Sequence, residues 1–333
     1  MTYIYITRAI PEIGINMLRE KGWDLYIHPH ELPPSREELL KRVKGATAIL
    51  SLLTDKIDKE VFDNAGRSLK IVANYAVGYD NIDVKEATKR GIIVTNTPGV
   101  LTDTTADMAW TLLMAVARRV VEGDKYARSG RFKTWHPTLL LGSDIHGKTL
   151  GIVGFGRIGR AIARRATGFS MNVLYFDPVK APPEVERDLN AKGVDFETLL
   201  KESDFIVIAA KLTPENRHLF SRETFPKMKD TAYIVNIARG PIIKEDDLVA
   251  ALKEGWIKGA ALDVFEHEPH IHPKLIEMDN VVLTPHIGSA SEETRNKMAI
   301  LAAQSIIDVL EGRVPENIVN RDVLNRLKLN GIS

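Results

Sequence analysis

The feature that most constrains the fold is an apolar run at residues 150–153 that leads directly into Gly154-Phe155-Gly156-Arg157-Ile158-Gly159. Behind the glycines, Ile158, Ile162 and Ala166 recur at helical spacing and give the next segment an apolar stripe. The following β-branched run ends at Asp177. Strand, GxGxxG, helix and strand-terminal Asp in this order make a βαβ unit; a plain tight turn explains the glycines but not the rest. The glycines let the chain turn sharply and let its backbone approach a ligand. The helix start adds N–H donors and the positive end of the helix dipole. Gly154, Phe155, Gly156, Arg157, Ile158 and Gly159 are therefore expected to hold the pyrophosphate of a dinucleotide, with Asp177 accepting hydrogen bonds from the adenosine ribose. A carboxylate at 177 repels a 2′-phosphate, which favours NAD(H) and leaves NADP(H) as the alternative. Lys180, nearby, offsets this only in part, and a solvated loop cation is its plainer reading.

Around this unit, short β-branched runs alternate with amphipathic stretches, the pattern of parallel sheets covered by helices. Strands are expected at 3–7, 24–28, 48–52, 70–76 and 92–96, with helices at 11–21, 36–43, 59–65 and 85–90. One long helix is expected over 105–129, with Met108, Leu112, Leu113 and Val116 as its apolar stripe, packed between two domains or two subunits. A second series of strands follows at 149–153, 172–176, 205–209, 233–237, 260–264 and 281–283. The last helix is expected to start near Ser289, with Ser289 and Glu292 as a capping box and Gly312 as the C′ residue. The fold class is α/β with two doubly wound parallel sheets, and a length of 333 residues suits two domains.

Composition narrows the chemistry. The chain has no cysteine, which excludes disulfides, thiolate catalysis and cysteine metal sites. Its formal net charge of +1 gives no general attraction to nucleic acid or an anionic membrane. No run reaches the roughly 18 apolar residues of a membrane helix. Residues 1–14 lack the basic and apolar regions of a secretory signal, so a cytoplasmic location is expected. Abundant Lys, Arg and Glu without Cys would suit a heat-stable protein.

Several ordered motifs carry a resemblance to the D-isomer-specific 2-hydroxyacid dehydrogenase family over essentially the whole chain. They are residues 74–83 (NYAVGYDNID), 96–103 (NTPGVLTD), 147–154 (GKTLGIVG), 236–240 (NIARG), 262–269 (LDVFEHEP) and 283–290 (LTPHIGSA). Within the family the chain looks most like the glyoxylate/hydroxypyruvate reductases, through Trp135-His136-Pro137 followed by Leu141-Gly142. The resemblance implies a Rossmann NAD(P)-binding domain, 99–288, inserted into a flavodoxin-like substrate (catalytic) domain, 1–98 plus 289–333. It also implies a homodimer, with Trp135 either entering the partner's active site or buried in the interface. The expected activity is NAD(P)H-dependent reduction of a small 2-keto acid to the 2-hydroxy acid.

That reaction needs a hydride donor, a proton donor, a carboxylate clamp and polarisation of the carbonyl. Arg239 follows a strand, so it stands at the sheet edge where ligands bind in such folds; its guanidinium suits a carboxylate and the C2 oxygen. His286 follows another strand and is a reasonable proton donor near neutral pH. By resemblance, Glu268, immediately before Pro269, rather than Glu266, hydrogen-bonds His286 and stabilises its imidazolium. A salt-bridged arginine and structural His and Glu are the bland readings of each residue alone. The resemblance further implies that the backbone of Val77 and Gly78 binds the substrate carboxylate, with Leu53 and Trp135 as further substrate contacts. For the cofactor it adds Thr105, Lys211, Thr213, Ile237, Ala238, Arg239, Asp263, His286, Gly288 and Ser289. Lys211 departs from the family pattern, where many relatives carry Pro, and a cation beside the adenosine weakens the preference for NAD.

Two clusters invite other readings. His267, His270 and His272 beside Glu266 and Glu268 suggest a metal, but their spacing matches no strong ligand motif and hydride transfer needs none, so a solvated loop is expected and no metal. Arg157, Arg160, Arg164 and Arg165 suggest a nucleic-acid face, which the net charge and the interspersed apolar stripe oppose. Other substrates, such as 3-phosphoglycerate or D-lactate, stay open, as does an NAD(H)-sensing protein resembling the C-terminal-binding-protein corepressors. The end of the chain at Ser333 argues only against the long phosphoglycerate enzymes.

Overall fold

The computed structural model describes residues 2–329 and divides into two units, Met1–Leu101 with Ala290–Ser333, and Thr102–Ser289. The first break follows Leu101 rather than Pro98. Among the described residues no helix is long and apolar enough to cross a membrane.

In the first unit, β1 (Tyr3–Ile6), β2 (Asp24–Ile27), β3 (Ala48–Ser51), β4 (Ile71–Asn74) and β5 (Ile93–Thr95) form a parallel sheet of order β2-β1-β3-β4-β5. This is the flavodoxin-like order. β3 and β4 are buried throughout, because helices cover both faces of such a sheet. The C-terminal segment completes the unit. Its helix Glu292–Leu310 packs against the helix Glu12–Arg19, where Gly14 has no room for a Cβ against the backbone of Ala299. This helix starts later than expected, because Ser291, not Ser289, is its N-cap and accepts from Thr294 N at 3.2 Å. Gly312 lies just beyond its end in the left-handed region, as a C′ glycine does.

In the second unit, β6 (Thr149–Val153), β7 (Asn172–Phe176), β8 (Ala191–Gly193), β9 (Phe205–Ile208), β10 (Tyr233–Asn236), β11 (Gly259–Leu262) and β12 (Val281–Leu283) form a seven-stranded parallel sheet. Its order is β12-β11-β10-β9-β6-β7-β8, a Rossmann arrangement with the strand order reversing between β6 and β9. β8 was not expected; Ala191-Lys192-Gly193 carries no β-branched residue and pairs with β7 only through its edge position. Ile152, Val207 and Val235 face one core and Ile206, Ile208 and Ile234 the other, the alternation of a sheet buried on both faces.

The long helix expected over 105–129 is two helices, Thr102–Ala117 and Val120–Arg128, broken at Arg119 with φ 53. The carbonyl of Ala117 accepts from Ser143 N at 2.8 Å, so a crossing segment takes the acceptor the helix would have used, and Gly142 passes there without room for a Cβ. Leu112, Leu113 and Val116 are buried inside this unit, in one core with Trp110, whose indole N–H donates to Ile162 O at 3.1 Å. The stripe therefore packs on its own sheet rather than between domains or subunits. Part of the basic helix face is also used here: Arg165 pairs with Asp107 at 2.8 Å and Asp103 at 3.2 Å on the neighbouring helix.

Candidate active site

The glycine loop follows β6 as expected. Gly154 has φ +93, a region natural only to glycine, and a Cβ there would meet the backbone of Ala210 on the next strand connection. At Gly159 a Cβ would run into Gly154 O, so the third glycine lets the helix Arg157–Ala166 pack on its own strand. At Gly156 a Cβ would meet nothing within 4 Å, and this residue is the N-cap without a side-chain cap. The helix start thus presents an open backbone face, which fits a pyrophosphate. Asp177 ends beside this loop: its Oδ2 accepts from Phe155 N at 2.7 Å and its Oδ1 from Val179 N at 2.8 Å. The carboxylate therefore also braces the loop, a role its sequence position did not suggest. Lys180 and Lys211 are exposed; the charge of Lys180 acts on Glu186 and that of Lys211 on Glu215. Thr213 caps the short turn Pro214–Asn216 in a reciprocal capping box with Asn216.

Along the same C-terminal edge, three strands deliver the expected polar side chains. Arg239 leaves the end of β10. There Asn236 accepts from Ala238 N at 3.0 Å and donates to Arg239 O at 2.9 Å, locking the turn, with Ile237 and Ala238 buried. Gly240 then packs so closely on the Phe265–Glu266 peptide that a Cβ would overlap it, so the arginine turn and the glutamate loop are seated on each other. Glu268 Oε1 accepts from Phe265 N at 3.0 Å, and Oε2 lies 3.0 Å from Nδ1 of His286. Burial pushes the Glu268 carboxyl up, but His286, Phe265 N and the charge of Arg239 outweigh it and hold it below the ordinary value.

His286 itself has φ 55, and its amide donates to Asp263 O at 2.9 Å. Asp263, only 1% exposed, builds this turn: it accepts from Thr284 Oγ1 at 2.6 Å, Ile287 N at 2.8 Å and Gly288 N at 2.7 Å. Burial pushes the Asp263 carboxyl up even against those donors. A Cβ on Gly288 would stand 3.6 Å from Thr105, so Thr105, Gly288 and the following Ser289 border the same turn.

Of the remaining expected substrate residues, Leu53, Val77 and Gly78 belong to the first unit and Trp135 to the second. Val77 and Gly78 form a turn after β4 in the first unit, with their carbonyls held by Asn96 at 2.7 Å and Asn74 at 2.9 Å. Leu53 follows β3 at the same sheet edge, where Ser51 donates to Asn74 at 3.0 Å. Trp135 is 77% exposed in a segment without regular structure. The histidines near Glu268 make no metal cage among the described residues. His272 caps the helix Pro273–Ile276 and faces Asp246 at 3.1 Å, while His267 and His270 share a β-bridge. Sequence reasoning missed His218 and Glu245, which meet Glu266 from distant segments.

The chain is similar to known proteins. Residues 110–288 match the family model for the NAD binding domain of the D-isomer specific 2-hydroxyacid dehydrogenases. The chain is 54% identical over 326 residues to a protein named glyoxylate reductase from Thermococcus onnurineus, covering 97% of each chain. It superposes on the crystal structure of a glyoxylate reductase from Paecilomyes thermophila with a TM-score of 0.86 at 33% identity, covering 96% of this chain and 98% of that one. An NADPH-dependent glyoxylate/hydroxypyruvate reductase from Sinorhizobium meliloti, solved with NADP and malonate, gives a TM-score of 0.85 at 29% identity, covering 96% and 97%. A Rossmann sheet with an open glycine loop, an Arg, Glu and His on one edge of it, and a family model that covers more than half of the residues have one common explanation: the chain belongs to the D-isomer-specific 2-hydroxyacid dehydrogenase family.

Proposed function

We infer that this chain reduces glyoxylate, and with it small 2-keto acids such as hydroxypyruvate, to the 2-hydroxy acid. The observation that carries this reading is the placement of Arg239, Glu268 and His286 on one sheet edge, with His286 Nδ1 3.0 Å from Glu268 Oε2. A nicotinamide cofactor on the glycine loop supplies the hydride when bound. Arg239 binds the substrate carboxylate and the C2 oxygen with its two-pronged guanidinium. The backbone amides of Val77 and Gly78, with Leu53 beside them, complete the substrate contacts. As negative charge grows on the C2 oxygen, the protonated ring of His286 donates its Nε2 proton there, and in oxidation it takes the proton back. Glu268 keeps the ring oriented and its cation paired. The Thr102–Ser289 unit acts as the cofactor domain and the other as the substrate domain.

NAD(H) is the preferred cofactor on this reading, because the Asp177 carboxylate stands at the loop where a 2′-phosphate would need a cation. Lys180 and Lys211 are exposed, and they are the cations that would serve a 2′-phosphate if NADP(H) were used instead. The chain works as a homodimer. With the helical stripe buried in its own unit, the support for this lies in Phe132, Trp135 and Leu141, exposed together along one segment. A monomer by light scattering at micromolar concentration would refute it. A cytoplasmic location is part of this reading, and cell fractionation tests it.

The relatives at about half identity are named glyoxylate reductases, so the D-lactate, 3-phosphoglycerate and NAD(H)-sensing readings are set aside. The deciding experiment compares kcat/KM for glyoxylate, hydroxypyruvate, pyruvate and phosphohydroxypyruvate with NADH and with NADPH. The highest value is expected with glyoxylate or hydroxypyruvate and NADH; a preference for phosphohydroxypyruvate or pyruvate would overturn the substrate.

A further inference from the structure

Two histidines of the Thr102–Ser289 unit occupy the left-handed backbone region, His286 with φ 55 and His218 with φ 55. Residues with side chains rest there only when their surroundings hold them. Each carries its ring to a carboxylate of the same loop. His286 meets Glu268, and His218 Nε2 lies 2.6 Å from Oε1 of Glu266, two residues earlier. The mechanism above uses the first contact and has no role for the second.

Glu266 is the hub of this second contact. Its side chain is only 10% exposed. Its Oε2 accepts from Glu245 N at 3.0 Å, and its own N–H donates to Glu245 Oε1 at 2.7 Å, a reciprocal exchange that ties the loop to the start of the helix Glu245–Lys253. A carboxylate so deep needs a partner of opposite charge or strong donors on both oxygens, and the ring of His218 supplies the second donor. His218 N also donates to Pro241 O at 2.8 Å, just after Arg239 and Gly240. One residue therefore fastens the arginine turn and the glutamate loop together, at the place where Gly240 already presses on the Phe265–Glu266 peptide.

We propose that His218 is a positioning residue for keto-acid reduction: by clamping Glu266 it fixes the loop on which Glu268 meets His286. The proposal rests on the functional reading above. Losing the clamp leaves a buried carboxylate short of a donor, and the loop shifts to find water. Glu268 moves with it, and small displacements of a positioned group cost rate rather than cofactor affinity.

The test is a double-mutant cycle on the full chain, His218→Ala and His218→Gln, each alone and with Glu268→Gln. His218→Ala is expected to lower kcat for glyoxylate about tenfold, with NADH affinity by fluorescence unchanged. His218→Gln, which keeps an N–H at the Nε2 position, restores most of the rate. In the Glu268→Gln background His218→Ala produces no further loss, because its route to the reaction is already cut. A residue with only a packing role would lower the rate equally in both backgrounds, and that result would overturn the proposal, as would an undiminished kcat in His218→Ala. A second readout needs no activity. The ring N–H signal of His286 in a ¹⁵N-histidine-labelled sample should keep its wild-type position in His218→Gln and move in His218→Ala. An unmoved signal in His218→Ala overturns the clamp. This signal decides the clamp even if the wild-type chain reduces no keto acid, a failure that would count against the functional reading instead.

Discussion

Nδ1 of His286 lies 3.0 Å from Oε2 of Glu268. The contact assigns the ring: the nitrogen on the carboxylate is spoken for, and Nε2 is the one left to face a substrate. Glu268 is in turn fixed from behind by Phe265 N, so the pair is oriented by backbone and not only by side-chain packing.

The first expectation follows from that assignment. His286→Ala removes the proposed proton donor but leaves the side chains of the glycine loop, Asp177 and Asp263 in place. A positioned acid contributes roughly 10²–10⁴-fold, so kcat for glyoxylate should fall within that range. NADH binding by calorimetry should stay near wild type. A kcat within a few-fold of wild type would show that the proton comes from elsewhere.

Glu268→Gln keeps the shape of the contact and removes its charge. The imidazolium loses its neighbouring anion, so the reduction rate should begin to fall at lower pH than in wild type. An alkaline limb of kcat/KM that does not move would disprove the coupling. Stability adds an independent check. The folded Glu268 carboxyl is held below its ordinary value of 4.5. Its charge therefore stabilises the fold fully above that value, and the contribution is lost as pH falls through the lower folded value. The Tm gap between wild type and Glu268→Gln should be widest near neutral pH and close in acid.

What was legible in the sequence was what local pattern determines. The βαβ unit around Gly154 and the strands ending at Asn236 and Leu283 announce themselves by period and spacing, whereas Arg239, Glu268 and His286 stand out as a set only through the family motifs that carry them. What stayed hidden depends on partners far along the chain. The break at Arg119 is made by Ser143 reaching back to the Ala117 carbonyl, and nothing in residues 105–129 encodes it. Ser289 and Ser291 offer the same capping chemistry, and it is Ser291 that accepts from Thr294 N at 3.2 Å. The sequence position of Asp177 points to a ribose alone, because its bond to Phe155 N exists only in three dimensions. His218 carried no signal at all, since its partner Glu266 lies on another strand connection.

The bond that Asp177 accepts from Phe155 N changes how its proposed part in cofactor choice should be tested. Alanine at 177 would remove the charge and also loosen the glycine loop by freeing Phe155 N. Asparagine keeps one acceptor, enough for that amide, and gives up only the acceptor that Val179 N uses. Asp177→Asn should therefore narrow the NADH/NADPH ratio of kcat/KM about tenfold, roughly 1.4 kcal/mol of lost discrimination, while NADH affinity stays nearly unchanged. A wild-type enzyme that prefers NADPH would reverse the assignment and point to Lys180 and Lys211.

The closest fit in the site predicts the harshest small substitution. Gly240 has no positive φ, so its glycine is not required by backbone conformation. It is required by space: a Cβ would fall on the carbonyl of Phe265 and against Glu266 N. Those atoms are peptide backbone between a buried strand and the Glu268 loop, and they cannot rotate away as the tip of a side chain would. Gly240→Ala must therefore push the arginine turn and the glutamate loop apart. Overpacking of this kind costs about 1–3 kcal/mol, which urea unfolding should register as a lower midpoint with an unchanged slope. The kinetic effect should exceed the thermodynamic one. Arg239 and Glu268 sit on opposite sides of the wedge, so KM for glyoxylate should rise and kcat should fall. A Gly240→Ala variant with wild-type kcat/KM would mean that the two turns are not seated on each other in the working enzyme.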